Sequence, residues 1–85
     1  MRMRRDDLVV RHLDGEVVML CLLSSTYFSA NGTGSYLVEL LDEDRDALEL
    51  AMRLSERSGV PIATATADVG AFLGQLRDHG LLSEG

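Results

Sequence analysis

The segment from Leu20 to Gly34 constrains the fold most, because strand, turn, strand and helix-start signals follow one another without a gap. An apolar run ends at Ser24-Ser25, which predicts a turn, and the chain returns as Thr26-Tyr27-Phe28-Ser29. Asn31 then predicts a helix start, since its side chain can accept a hydrogen bond from a backbone N–H of the first turn. We expect this short strand at a sheet edge, where unpaired N–H and C=O groups can pair with another chain.

Two apolar segments precede this strand and complete a predicted three-stranded antiparallel sheet. Leu8 to His12 and Glu16 to Leu23 are separated by Asp14-Gly15, a dipeptide that favours a tight hairpin turn. The second of these strands is apolar on both faces, with Val17, Met19, Cys21 and Leu23 on one and Val18, Leu20 and Leu22 on the other. Such a strand is usually covered on both faces. Helices of this chain are expected on one face, and the first strand curling over, a second copy or a partner protein on the other.

Three helices are predicted after the sheet, each from apolar residues at helical spacing. Their apolar stripes are Tyr36, Leu37, Leu40 and Leu41; Ala47, Leu50, Ala51 and Leu54; and Ala65, Val69, Phe72, Leu73 and Leu76. The second helix is expected to begin at about Arg45. This order of elements predicts an α+β fold, a small winged helix-turn-helix in which a three-stranded antiparallel sheet is followed by three helices. A chain of 85 residues is expected to form a single domain over residues 1–85.

The ends of the helices carry their own signals. Gly59 and Pro61 are expected to stop the second helix, and either Thr64 or Thr66 is expected to cap the third. Gly80 is predicted to end the third helix in the left-handed conformation. The third helix also has a second stripe of small residues, on the side away from its apolar stripe, formed by Ala67, Gly70, Ala71 and Gly74.

The charge distribution argues against a nucleic-acid partner. The net charge is −6 and the chain has no lysine. The one basic cluster, Arg2, Arg4 and Arg5, lies beside Asp6 and Asp7 on a terminus that is expected to fray. Too few cations are therefore available to neutralise phosphates.

No combination of residues predicts catalysis, a metal site or a cofactor. His12 and His79 are the two histidines, and neither has a second ligand at metal-binding spacing. The glycines at Gly32 and Gly34 lack the lysine of a phosphate loop. Cys21 is the single cysteine and is expected to be a small buried apolar residue. No apolar run is long enough for a membrane span or a signal peptide, so we expect a cytoplasmic binding protein that is not an enzyme.

Taken in order, these motifs resemble the PqqD-like family, the recognition elements of ribosomally synthesised and post-translationally modified peptides. The resemblance covers about residues 8 to 83. It is carried by Asp14-Gly15-Glu16-Val17-Val18, by Leu22 to Asn31 with Tyr27-Phe28, by Gly34, by Asp68-Val69, Phe72-Leu73 and Leu76, and by Gly80-Leu81-Leu82. Three positions depart from it, since the family often has an acidic residue at Cys21, a glycine at Ser25 and a larger apolar residue at Ala30.

The resemblance implies a winged helix-turn-helix that binds a precursor peptide instead of DNA. The peptide's leader is expected to add as a strand to the third predicted strand, in the groove between that strand and the third helix. The residues expected at the leader are Thr26, Tyr27, Phe28, Ser29, Asp68, Val69, Phe72, Gln75, Leu76 and His79. Ala30 is expected to leave room for a bulkier leader side chain.

Two kinds of enzyme partner agree with this resemblance. One is the lasso-peptide type, in which a separate leader peptidase and a cyclase receive the precursor. The other is a radical-SAM peptide-modifying enzyme, as in pyrroloquinoline quinone synthesis. A winged-helix transcription regulator is a further alternative that the charge disfavours, and a homodimer through the doubly apolar strand is another.

Overall fold

The computed structural model describes residues 1–4 and 6–83. The elements, in chain order, are β1 (Arg2–Met3), β2 (Leu8–Leu13), β3 (Glu16–Cys21), β4 (Thr26–Asn31), α1 (Thr33–Leu40), α2 (Ala47–Ser58), α3 (Ile62–Asp78) and β5 (Leu82–Ser83). Strands β2, β3 and β4 form an antiparallel sheet in that order. The predicted α+β fold, a three-stranded antiparallel sheet followed by three helices, is therefore confirmed.

The terminus that carries Arg2 and Arg4 is expected from the sequence to fray, and for these two residues that prediction is wrong; Arg5 lies outside the described residues. Strand β1 pairs antiparallel with β5, and the side chain of Met3 is buried in the core. Arg4 strengthens this closure, because its guanidinium lies 2.7 Å from Asp7 Oδ1 and donates a hydrogen bond of 2.8 Å to the carbonyl oxygen of Gly80. Pairing between the two ends of a chain leaves no local signal, so the sequence pattern did not indicate it.

The predicted hairpin turns form, but β3 is shorter than expected. Gly15 has the positive φ of 72° that a tight turn requires. Strand β3 ends at Cys21 and the turn occupies residues 22–25, so Leu23 lies outside the strand, is 82% exposed and does not share the buried face of Val17, Met19 and Cys21 as predicted. Strand β4 in turn runs two residues further than expected and includes Asn31. Gly32 occupies the N-cap position of α1 with no side-chain hydrogen bond, so Asn31 is not the cap.

The core lies between one face of the sheet and the three helices. Its members are fully or nearly fully buried apolar residues: Val17, Met19 and Cys21 from β3, Leu37, Val38 and Leu41 from α1 and its end, Leu50, Ala51 and Leu54 from α2, and Ala65, Val69, Leu73 and Leu76 from α3. The apolar stripes predicted from the sequence did not include the buried Val38, and they wrongly included Ala47, which is exposed. None of the described elements packs on the opposite face of the sheet, and Val9, Leu20 and Tyr27 are exposed there.

Both predicted helix stops are confirmed, whereas the predicted start of α3 is wrong. Gly59 and Gly80 have φ of 74° and 69°, the left-handed conformation that ends a helix. Helix α3 begins at Ile62, directly after Pro61, and neither threonine caps it. The hydroxyl of Thr66 instead donates to the carbonyl oxygen of Ile62, one turn back within the helix. Pro61 occupies the N-cap position itself, with an extended ψ of 149°, so the helix begins at the next residue and before either threonine.

We expect Ser25→Gly to stabilise the protein by about 0.5–1 kcal/mol, which corresponds to a melting temperature higher by about 4 °C. Ser25 has φ of 56° and is the one non-glycine residue in the described part of the chain with a positive φ. The left-handed conformation costs a non-glycine residue about 1–2 kcal/mol, which the substitution removes. Part of this gain is lost again, because glycine has more conformational freedom in the unfolded chain. Thermal unfolding measures the change. Ser24→Gly is the control, and an equal gain from it would contradict this account.

Candidate functional site

Strand β4 pairs with no other strand than β3 among residues 1–4 and 6–83, so one of its edges is free there. The hairpin geometry determines which of its backbone groups face this edge. The two-residue turn makes Leu13 and Glu16 a hydrogen-bonded pair, so even-numbered residues of β3 bond to β2 and odd-numbered ones bond to β4. A hydrogen bond from the N–H of Gly32 to the carbonyl oxygen of Gly15, 3.4 Å long, continues the same alternation.

It follows that Thr26, Phe28 and Ala30, which face the odd-numbered β3 residues, use their backbone groups within the sheet. The N–H and C=O groups of Tyr27 and Ser29 point away from β3 toward the open edge. Side chains alternate as well, so those of Tyr27 and Ser29 lie on the outer face of the sheet, where Tyr27 is 69% exposed. These two residues therefore offer backbone groups at the edge, but no side chain to the helical side.

An aromatic cluster connects β4 to α3. The ring centroids of Phe28 and Phe72 are 6.2 Å apart with an interplanar angle of 61°, and those of Phe28 and His79 are 5.0 Å apart at 65°. These are edge-to-face arrangements, which favour aromatic packing. The Nδ1–H of His79 donates to the carbonyl oxygen of Gln75 over 2.8 Å, which orients the imidazole. Three of the predicted site residues, Phe28, Phe72 and His79, are thus in contact.

Gly34 makes this arrangement possible, although the sequence reasoning did not include it among the site residues. A Cβ on Gly34 would lie 2.8 Å from the Cβ of Ala30 and 2.9 Å from Cε1 of Phe72. The first turn of α1 therefore lies so close to β4 and α3 that position 34 has room for the hydrogen atom of a glycine but not for a Cβ. A glycine inside a helix, where it is unfavourable, was the one signal in the sequence for this close approach.

The other predicted residues divide between a surface stripe and the core. Asp68, Phe72, Gln75 and His79 are spaced i, i+4, i+7 and i+11, so they follow one side of α3 and its C-cap. Asp68, Gln75 and His79 are exposed. Val69 and Leu76, in contrast, are 1% and 0% exposed within the core. They support the groove from below and present no surface to a ligand, so their assignment as peptide-contacting residues needs this correction.

The described residues, 1–4 and 6–83, contain no group of three or more His, Cys, Asp or Glu side chains that could hold a metal ion. In the same part of the chain, no helix combines the length and the apolar character required to cross a membrane. Cys21 is buried, and its Sγ lies 3.5 Å from Oδ2 of Asp7.

The fold and this groove define a small α+β domain with an open strand edge beside an aromatic-lined helix. Comparison with protein families identifies it further, since the profile described as "Coenzyme PQQ synthesis protein D (PqqD)" matches residues 16–82. The chain belongs to the PqqD family. A comparison with curated proteins gave no match.

Two solved structures are similar to this chain over nearly its whole length. One is TbiB1 in complex with the TbiA(beta) leader peptide, which is 32% identical with a TM-score of 0.90 and covers 100% of this chain and 98% of that chain. The other is a lasso peptide synthetase B1 complexed with the leader peptide, which is 24% identical with a TM-score of 0.83 and covers 98% of this chain and 96% of that chain. The second likeness is evidence of shared fold alone.

Proposed function

We propose that this protein binds the leader segment of a ribosomally synthesised precursor peptide and delivers it to separate modifying enzymes of the lasso-peptide type, a leader peptidase and a cyclase. The observation that carries the proposal is the free edge of β4 beside the cluster of Phe28, Phe72 and His79. The 32% identical TbiB1 structure supports it, because that protein was solved with a leader peptide. In this proposal the protein is a binding partner and does no chemistry itself.

The binding mode is strand addition. A leader in extended conformation pairs with the outward N–H and C=O groups of Tyr27 and Ser29, which supply affinity without regard to sequence. Alternate leader side chains then point toward α3, where Phe28 and Phe72 offer an apolar surface. Asp68, Gln75 and His79 add polar groups along the same side of the helix, and these select the leader's register.

Two alternative functions have less support. A partnership with a radical-SAM enzyme leaves the leader site unchanged and differs in the enzyme that receives the leader. The lasso type is supported by the similar fold of a lasso peptide synthetase B1 that was solved with the leader peptide. A winged-helix transcription regulator receives no support from the comparisons, and the net charge of −6 opposes phosphate binding.

Titration of the labelled protein with a synthetic leader peptide tests the proposal. The TbiA(beta) leader, which is named with the 32% identical TbiB1, is the probe. Backbone NMR signals of Thr26–Ser29 and of the Asp68–His79 side of α3 are expected to shift. Changes confined to α2 would mean that the site is placed incorrectly.

The polar side of α3 gives a second test. We expect Asp68→Ala and Gln75→Ala each to weaken leader binding by roughly two- to tenfold, the effect of one lost hydrogen bond. Both side chains are exposed, so the melting temperature should change little. Gly74→Leu is the matched control, since Gly74 lies on the stripe of small residues and a Cβ there would meet open space. Weaker binding by Gly74→Leu, with the other two variants unaffected, would place the leader over that stripe.

A further inference from the structure

The sheet has a second free edge, on β2, which the proposed leader site does not use. Strand β2 pairs with β3 along one side, through all six of its residues. By the alternation described above, the backbone groups of Val9, Arg11 and Leu13 bond to β3. A hydrogen bond of 2.8 Å from the N–H of Leu22 to the carbonyl oxygen of Asp7 continues this ladder. The N–H and C=O groups of Leu8, Val10 and His12 therefore face outward, unpaired within the described sheet.

A cleft of about 490 Å³ lies beneath this edge. Its walls include Leu8, Val10 and His12 from β2, with Val38 and Leu41 from α1 and its end opposite them. The helix α1 packs over β3 and β4 and leaves the inward face of β2 partly open. As a result Val10, whose side chain is on the core side of the sheet, is still 37% exposed. Arg4 and Asp42 also line the cleft, so its apolar part is the portion formed by Leu8, Val10, Val38 and Leu41. An unpaired backbone edge beside this apolar part has the same two components as the β4 groove.

We propose that the β2 edge and this cleft form a second strand-addition site, which takes an extended segment of a partner protein. The segment carries an apolar residue opposite Val10, directed into the cleft, and a neighbouring acidic residue opposite Arg11 on the outer face. Charge complementarity supports the acidic residue, since Arg11 is exposed and has no ion-pair partner among the residues that the structure describes. Directly opposed unlike charges on neighbouring strands attract.

A second copy of this chain fits the edge less well than a partner segment. Each copy carries a net charge of −6, so two copies repel each other. A strand of this length spans about 20 Å. The surface area that two such strands bury by pairing at their edges is far less than the roughly 800 Å² per partner that a stable interface buries. An extended segment does not depend on a large interface between two folded domains, because its side chains enter the cleft beside the strand. Since the leader is proposed on β4, both edges of the sheet can be occupied together.

Two capped peptides of alternating polarity test this site on the full-length protein: acetyl-Thr-Val-Glu-Val-Thr-Val-amide and the same peptide with Lys in place of Glu. We expect both to shift the amide signals of Leu8–Leu13 and the methyl signals of Val38 and Leu41. The Glu peptide should bind about fivefold more tightly than the Lys peptide, and Arg11→Glu should reverse that preference. These shifts should persist when β4 is saturated with leader. That result distinguishes the β2 site from the leader site of the proposed function.

Three results would overturn the inference. One is the absence of shifts in β2, or shifts confined to β4. The second is equal affinity for the two peptides in a folded protein. The third is a concentration-dependent change in the β2 amides without peptide, together with a dimer in sedimentation velocity, which would assign the edge to a second copy. Arg11 is exposed, so the unchanged melting temperature of Arg11→Glu verifies that the variant is folded.

Discussion

Ser29→Pro is expected to weaken leader binding at least about tenfold, because a leader carbonyl oxygen loses its hydrogen-bond donor in a desolvated pairing. Proline has no N–H, and the N–H of Ser29 points to the open edge of β4 and not to β3. Proline is tolerated on an edge strand when the lost N–H faces solvent, so the protein should remain folded. Isothermal titration with the leader measures the affinity, and circular dichroism measures the melting temperature.

The matched control is Ser29→Ala, which removes the hydroxyl and keeps the N–H. Because the side chain of Ser29 lies on the outer face of the sheet, away from α3, this variant should bind the leader like the parent protein. If Ser29→Pro stays folded and keeps full affinity, the leader does not add to β4 as a strand. If Ser29→Ala loses affinity equally, the hydroxyl is the recognised group and the backbone pairing is wrong. Ala30→Pro should instead destabilise the sheet, since that N–H bonds to β3.

Gly34→Ala is expected to destabilise the protein by about 2 kcal/mol, with a melting temperature lower by about 10 °C. Its Cβ would lie 2.8 Å from the Cβ of Ala30 and 2.9 Å from the ring of Phe72. The ring can rotate, but the Cβ of Ala30 is carried directly by the β4 backbone and cannot move alone. The overlap thus separates α1 from β4, and the displaced Phe72 should also weaken leader binding.

Gly74→Ala provides a control with the opposite sign. Both glycines are helical, and alanine is favoured over glycine in a helix interior by up to about 1 kcal/mol. At Gly74 a Cβ meets nothing within 4 Å, so the melting temperature should rise by about 5 °C. An increase for both variants would show that the close approach at Gly34 is absent in solution. A decrease for both would mean that the stripe of small residues is itself packed against another surface.

The parts of this fold that depend on neighbours in the chain could be predicted from the sequence. Asp14-Gly15 predicted the first turn, Gly59 and Gly80 predicted two helix ends, and apolar spacing predicted most of the core. Each of these features depends on local backbone preference or on the period of a helix or strand, and so leaves a pattern within a few residues. The same holds for the edge strand, whose predicted end at Ser29 lies two residues before its observed end at Asn31.

Tertiary packing decided the rest. Pairing between β1 and β5 joins residues far apart in the chain and leaves no local pattern. On α3 the sequence placed Val69, Phe72 and Leu76 together on one apolar stripe. Tertiary packing buries Val69 and Leu76 fully, while Phe72 is half-buried beside Phe28. Helical spacing shows which residues share a side of a helix, but the depth of each residue depends on what packs against that side. The site thus consists of a predicted strand and helix whose contact, through Gly34, was determined by packing.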